Sequence, residues 1–150
     1  MKKTRLFMTI IAIAIIAFGV RLSVLGNQSQ KMNPELGVQD GKLQKCPNKP
    51  NCVVSFYPDD KEHYLAPIKT EQSLDEIKKT ILKSDLDWKI TQEGENYIHY
   101  NFKSSLMGFV DDIELYKSED LLHFRSASRV GYSDLGANKK RILKLKDILK

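Results

Sequence analysis

The run LFMTIIAIAIIAFGV, residues 6–20, constrains this chain more than anything that follows it. It follows Met-Lys-Lys-Thr-Arg and carries no charge, the arrangement of a secretory signal or an N-terminal membrane anchor. A span needs about 20 apolar residues. Arg21 interrupts the run, but Leu22, Val24 and Leu25 prolong its apolar character, and an arginine near the end of a span can snorkel outward. The small residues Ala17 and Gly19, or Val24 and Gly26, also permit cleavage. Residues 1–26 therefore read as a signal anchor, with a cleaved signal peptide as the alternative. A buried core helix is disfavoured by three positive charges in the first five residues. With those charges retained inside, the remainder lies outside the cytoplasm. The expected location is the cell membrane, single-pass with an extracytoplasmic C-terminal domain, or a secreted or periplasmic form after cleavage.

The leader also explains the charge. The formal net charge is +5, from 24 Lys and Arg against 19 Asp and Glu. Lys2, Lys3, Arg5 and Arg21 belong to the first 26 residues, which contain no acid, so 20 bases face 19 acids in the rest. Nucleic acid is not an expected partner; the membrane is, through the N-terminal helix.

Residues 27–44 have few large apolar side chains, one proline and two glycines, and read as a flexible tether. Residues 45–150 are long enough for one modest core and too short for two. At the start of this domain stands KCPNKPNCVVS, with Cys46 and Cys52 as the only cysteines. Outside the cytoplasm two cysteines read as one disulfide, and Pro47, Asn48, Pro50 and Asn51 favour the turn that closes it. A Cys₂His zinc site with His63 is the weaker alternative, because the spacing is wide and a fourth ligand is missing. A redox pair would favour Cys-x-x-Cys. No metal is assigned.

QSLDEIKKTILKSD opens with Ser73 and Glu76 as a capping box, and Leu74, Ile77 and Ile81 form one helical stripe. NYIHYNFK alternates, with Ile98, Tyr100 and Phe102 on one face, and pairs with DWKITQ through Glu93-Gly94-Glu95. FVDDIELY and DLLHFRSAS form a second hairpin. Placing Tyr116 opposite Leu121 sets Leu115 against Leu122 and Ile113 against Phe124 on an apolar face. The same register sets Glu114 against His123 and Asp112 against Arg125 on a polar face. Ile142, Leu145, Ile148 and Leu149 give the last helix a buried stripe. The predicted fold is α+β: a four-stranded antiparallel sheet with two helices on one face, preceded by the hydrophobic anchor helix.

That arrangement leaves the other face of the sheet open, carrying His99, Asn101, Lys103, Asp112, Glu114, His123, Arg125 and Arg129. It reads either as a solvated face of cross-strand ion pairs or as a binding surface on which arginines clamp an anion. RSASRVGYSDLGANKKR, residues 125–141, gathers arginines and lysines at a helix start, where an anion can bind unless Asp134 already occupies it. Catalytic furniture is sparse. There is no glycine-rich phosphate loop and no His-Glu-x-x-His, and no cofactor is expected.

CPNKPNCVVS, GFVDDIELY and RSASRVGYSDLGANKKRI resemble, in this order, the signature blocks of the domain of unknown function 1499 family. The resemblance covers about residues 45–145. The family's first block usually reads Cys-Val-Ser-Ser, where this chain has Val54 before Ser55. The resemblance implies a small bacterial protein, often with an N-terminal hydrophobic segment, and no defined activity. It singles out Cys46, Pro47, Asn51, Cys52, Asp111, Asp112, Glu114, Arg125, Ser126, Ser128, Arg129, Gly131, Asp134, Asn138 and Arg141.

The leading expectation is a non-catalytic, membrane-tethered binding or accessory domain of the bacterial envelope, holding a small anionic ligand or a protein partner. The candidate ligand-binding residues are Asp112, Glu114, Arg125, Ser126, Ser128, Arg129, Tyr132, Asp134, Asn138 and Arg141. The alternative is a hydrolase or other enzyme, metal-assisted or not, using Asp111, Asp112, Glu114 and His123.

Overall fold

The computed structural model describes residues 2–150. Helix α1 (Lys2–Lys31) runs unbroken through the apolar stretch and past Arg21. It is long and apolar enough to cross a membrane, with a mean hydropathy of 2.3 over its most apolar 18 residues and none of that window buried; a signal sequence meets the same description. Along residues 27–44, α1 continues to Lys31, and a short hairpin of β1 (Val38–Gln39) and β2 (Lys42–Leu43) follows.

The remaining elements are β3 (Cys52–Val54), β4 (Ile68–Lys69), α2 (Leu74–Lys83), β5 (Trp88–Glu93), β6 (Tyr97–Lys103), β7 (Val110–Ser118), β8 (Leu121–Ser128) and α3 (Ala137–Ile148). They form an α+β fold around a mostly antiparallel sheet of six strands rather than the four expected. The order is β3-β8-β7-β6-β5, and β4 also pairs with β8. Two short segments make the difference. β3 lies opposite Arg125, Ser126 and Ala127, and β4 opposite Leu121 and Leu122, so together they cover an edge that β8 would otherwise expose.

α2 starts as its sequence dictates. The Ser73 hydroxyl accepts the Glu76 amide, and the Glu76 carboxylate accepts the Ser73 amide at 2.8 Å. Its stripe of Leu74, Ile77 and Ile81 joins Ile142 and Leu145 of α3, and Leu149 just after it, in one core with Ile98, Tyr100, Ile113, Leu115, Leu122 and Phe124 of the sheet. Both helices thus pack on the same sheet face, and the apolar alternation of β6 and β7 is what selects that face.

The β7–β8 hairpin has the expected faces but a different register. Leu115 stands opposite Phe124, Ile113 opposite Ser126, Glu114 opposite Arg125, and Asp112 opposite Ala127. Ser118 pairs with Leu121, so the chain reverses within Glu119 and Asp120. This tight turn holds Glu119 at a φ of 52°, a left-handed conformation that a glutamate rarely adopts. The register slides by two residues, and with a side-chain period of two every residue keeps its face while every partner changes.

α1 is seated on the domain through its last turns. A Cβ at Gly26 would lie 1.8 Å from the Met107 carbonyl oxygen, so only glycine permits this contact. Gln30 donates to the Gly108 carbonyl at 3.1 Å and accepts from Lys103 at 2.8 Å. The Ser29 hydroxyl accepts the Val110 amide at 3.0 Å.

Candidate functional site

The polar residues that the sequence gathers into one constellation fall into two groups on opposite faces of the sheet. Strand alternation causes the division, because Asp111 and Asp112 are consecutive on β7.

On the face away from α2 and α3, Arg129 grips Asp112 in a two-pronged pair, Nε to Oδ2 at 2.8 Å and Nη2 to Oδ1 at 2.7 Å. His99 Nε2 reaches the same Oδ1 at 2.8 Å, and the bulge in β5 lets Thr91 meet His99 Nδ1 at 2.6 Å. Burial acts to raise the Asp112 pKa, but the hydrogen bonds from Arg129 and His99 outweigh it and hold the carboxyl below its ordinary range. Beside this group, Glu114 is fully buried and accepts from Gly37 N at 2.7 Å, Tyr97 Oη at 2.9 Å and Arg125 Nη1 at 3.1 Å. Burial and the charge of Glu114 push the Tyr97 phenol upward, so it remains a donor.

This face is covered rather than open. Arg129 Nη1 donates to the carbonyls of Ser29 and Met32, at 3.3 and 2.8 Å, while Gly37 supplies its amide to Glu114. The end of α1 and the segment after it therefore lie across Asp112 and Glu114. Sequence reasoning missed this cover because backbone groups make the contacts, and they leave no residue-type signature.

On the helix-bearing face stand Asp111, Ser126 and Ser128, beneath the start of α3. Arg141 Nη2 donates to Asp111 Oδ2 at 2.8 Å, and Nη1 to Asn138 Oδ1 at 2.6 Å. The guanidinium also lies over the Phe102 ring at 4.6 Å. Asn138, 1% exposed, donates to the Asn51 carbonyl at 3.0 Å, Ser128 Oγ at 3.0 Å and Asp134 Oδ2 at 2.8 Å, and accepts from Ser126 Oγ at 2.5 Å. Asp134 accepts the amides of Gly136 and Asn138, so the α3 N-terminus is already occupied by a carboxylate. Burial holds the Asp111 carboxyl above its ordinary range, although Ser128 and Arg141 act the other way.

Cys46 and Cys52 form a disulfide. His63 is held by Asp60 at 2.8 Å and by the Lys49 carbonyl at 3.0 Å. Asn51, just before Cys52, accepts the Ser128 amide at 3.0 Å and donates to the Gly131 carbonyl at 3.1 Å. The disulfide loop thereby anchors the segment that leads into α3. Tyr132 joins neither polar group and is 71% exposed.

Of the residues that an enzyme would use, Asp111 faces away from Asp112 and Glu114, and His123 stands opposite Tyr116 rather than Glu114. His123 Nδ1 instead lies 3.2 Å from Ser55 Oγ, a serine–imidazole pair across 68 residues that no local pattern announces. The serine is 4% exposed and its hydroxyl accepts the Phe124 amide at 2.9 Å. Phe56 stacks on the imidazole at 3.9 Å, and burial lowers the imidazole pKa. These contacts clamp the end of β3 to β8, and Ser55 and His123 together line a cavity of about 520 Å³ with Phe56, Tyr57 and Tyr64. Among the described residues, no three His, Cys, Asp or Glu converge as a metal site.

A cavity of about 390 Å³ lies where α1 meets the domain. Leu22 and Leu25 of α1, Phe102, Phe109, Val130 and Leu135 give it apolar walls. Asp111, Ser128, Asp134 and Arg141 supply its polar side, and these are the helix-face residues described above.

Neither a curated protein nor a solved structure matches the chain. A family model described as "Protein of unknown function (DUF1499)" matches residues 42–149, which include every side chain of both polar groups but not Ser29, Met32 or Gly37. The chain belongs to this family of proteins of unknown function, DUF1499.

Proposed function

We propose that the chain is a membrane-anchored, non-catalytic binding protein of the bacterial envelope, and that its site is the cavity at the root of α1, which takes an amphiphile. The single observation that carries this reading is the composition of that cavity. Apolar walls from the anchor helix and the domain meet a polar side of Asp111, Ser128 and Arg141. A hydrocarbon chain would lie against Leu22, Leu25 and Phe109, and a small hydrogen-bonding head would meet Ser128 and the Asp111–Arg141 pair. An apolar cavity with a few convergent polar groups is the usual form of a small-molecule site. Arg125 and Arg129 are each committed to a buried carboxylate, so their role in this reading is to hold the domain against α1 rather than to receive a free anion. The separated carboxylates, and a Ser55–His123 pair with no carboxylate on the imidazole among the described residues, favour binding over catalysis.

The test uses the full chain purified in detergent. A dansyl-labelled fatty acid should bind saturably with blue-shifted emission, and Ala137→Phe, which fills the cavity from the α3 side, should abolish that binding while the thermal transition is kept. Absence of saturable binding by the unaltered chain would end the amphiphile reading.

A further inference from the structure

We infer that Leu106, Tyr132 and Leu135 rest in the outer interface of the lipid bilayer, so that the cavity opens onto lipid rather than onto water. This rests on reading α1 as an uncleaved anchor, and it adds where the domain sits relative to that anchor.

Three independent observations converge. The first is a length. A span of about 20 residues that starts at Leu6 ends at Leu25. The second is the contact at Gly26, where the helix meets the Met107 carbonyl with no room for a Cβ. The domain is therefore fixed against the helix one residue beyond the end of the span, with no linker to lift it away from the surface. Leu22 and Leu25, the last turn of the span, line the same cavity as Leu135 and Val130. The walls of the cavity thus stand at the depth where hydrocarbon gives way to headgroups.

The third is exposure. After Met32, the most exposed large apolar side chains are Leu135 at 88%, Leu106 at 85% and Tyr132 at 71%. Leu106 adjoins Met107, which touches Gly26, and Leu135 shares the cavity with Leu22 and Leu25. Two separate loops thus present their largest apolar groups beside one helix root, where water would otherwise cover them at a cost of about 25 cal/mol per Å². A tyrosine is suited to that level of a membrane. Charge agrees with this seat. Arg21 sits in the last turns of the span, and the exposed Lys139 and Lys140 follow Leu135 within two helical turns. Cations placed there attract anionic headgroups.

The full chain would be reconstituted in vesicles of phosphatidylcholine and phosphatidylglycerol. The native cysteines are joined, so Leu106→Cys, Leu135→Cys and, on α2, Leu82→Cys each offer one thiol for a bimane label. Leu82 is 60% exposed and serves as the control that faces water. A nitroxide-bearing lipid should quench the labels at 106 and 135 several-fold more strongly than the label at 82, and aqueous iodide should show the reverse order. If all three quench alike while carbonate washing leaves the chain in the vesicles, the seat is overturned and the anchor stands. If carbonate releases the chain, the anchor reading fails and takes the seat with it. All three side chains are more than half exposed and lie outside the core, so the labels leave the core packing in place.

Discussion

Asp111 and Asp112 are neighbours in the chain and belong to opposite faces of the sheet, each paired with a different arginine. Asp111 meets Arg141 of α3, and Asp112 meets Arg129, which in turn holds the end of α1. One dipeptide therefore ties the core helix to one side of β7 and the anchor helix to the other. Their carboxyls are displaced in opposite directions because burial prevails at Asp111, while hydrogen bonds from Arg129 and His99 prevail at Asp112.

The two should respond oppositely to acid. The Asp112 pKa is depressed in the fold, so its stabilisation is complete above the ordinary carboxylate value of about 3.9 and is lost as pH falls through the folded value. The Asp111 pKa is raised, so its contribution is present below about 3.9 and declines as pH rises through its folded value. Urea unfolding across pH should find Asp112→Asn destabilised by about 3–5 kcal/mol at neutral pH, because Arg129 is left buried and unpaired, with a flattened acid limb. Asp111→Asn should cost less at neutral pH and should remove the decline just above the carboxylate range. Identical profiles for the two variants would contradict the opposite displacements.

Gly26→Ala should unseat α1 from the domain. A methyl 1.8 Å from the Met107 oxygen forces a backbone to move, at about 1–3 kcal/mol. The expected result is local: faster amide exchange at Val110, whose amide bonds Ser29, with little change in the core strands β6 and β8. Uniform protection equal to that of the unaltered chain would show that the contact carries no load.

The disulfide closes a short loop and is worth about 2 kcal/mol in the chain-entropy account. Its position gives a more specific expectation, because Asn51 next to Cys52 bonds the Ser128 amide, Gly131 and Asn138. Replacing both cysteines by serine should lower stability by that amount and loosen residues 129–136 in hydrogen exchange. Loosening confined to residues 45–52 would mean that Asn51 holds its place unaided.

How much of this was legible in the sequence depends on whether the signal is local. The capping box at Ser73, the stripes of α2 and α3, and the faces of β6, β7 and β8 follow from periodicity, because burial of one face leaves a pattern. The β7–β8 partners did not follow, because the turn rests on Glu119 at positive φ and nothing in Lys-Ser-Glu-Asp marks it. β3 and β4 are three and two residues long, too short to show a period. Alternation along β7 assigns Asp112 and Glu114 to one face, but no local pattern shows that Asn138 and Arg141 come from α3 to meet Asp111, Ser126 and Ser128 on the other. The cover over Glu114 was invisible, being the amide of Gly37.

Asn138 is where the helix-face contacts meet, and its replacement should be the most informative. Its amide nitrogen serves Asn51, Ser128 and Asp134, and its oxygen takes Ser126 and Arg141. Asn138→Ala strands several buried groups, each at about 1–3 kcal/mol, and should lower stability by about 3 kcal/mol or more. Asn138→Asp keeps the shape and the acceptor for Arg141 but sets a carboxylate against Asp134, whose Oδ2 now lies 2.8 Å from the donor nitrogen. Like charges at that distance disfavour ionisation of both, so this variant should gain stability as pH falls through the carboxylate range and one of the pair takes up a proton. The measurement is the thermal midpoint of Asn138→Asp against pH beside that of the unaltered chain. A midpoint difference that does not narrow toward acid would mean that Asp134 and residue 138 are not in contact, and the cap on α3 would need another source.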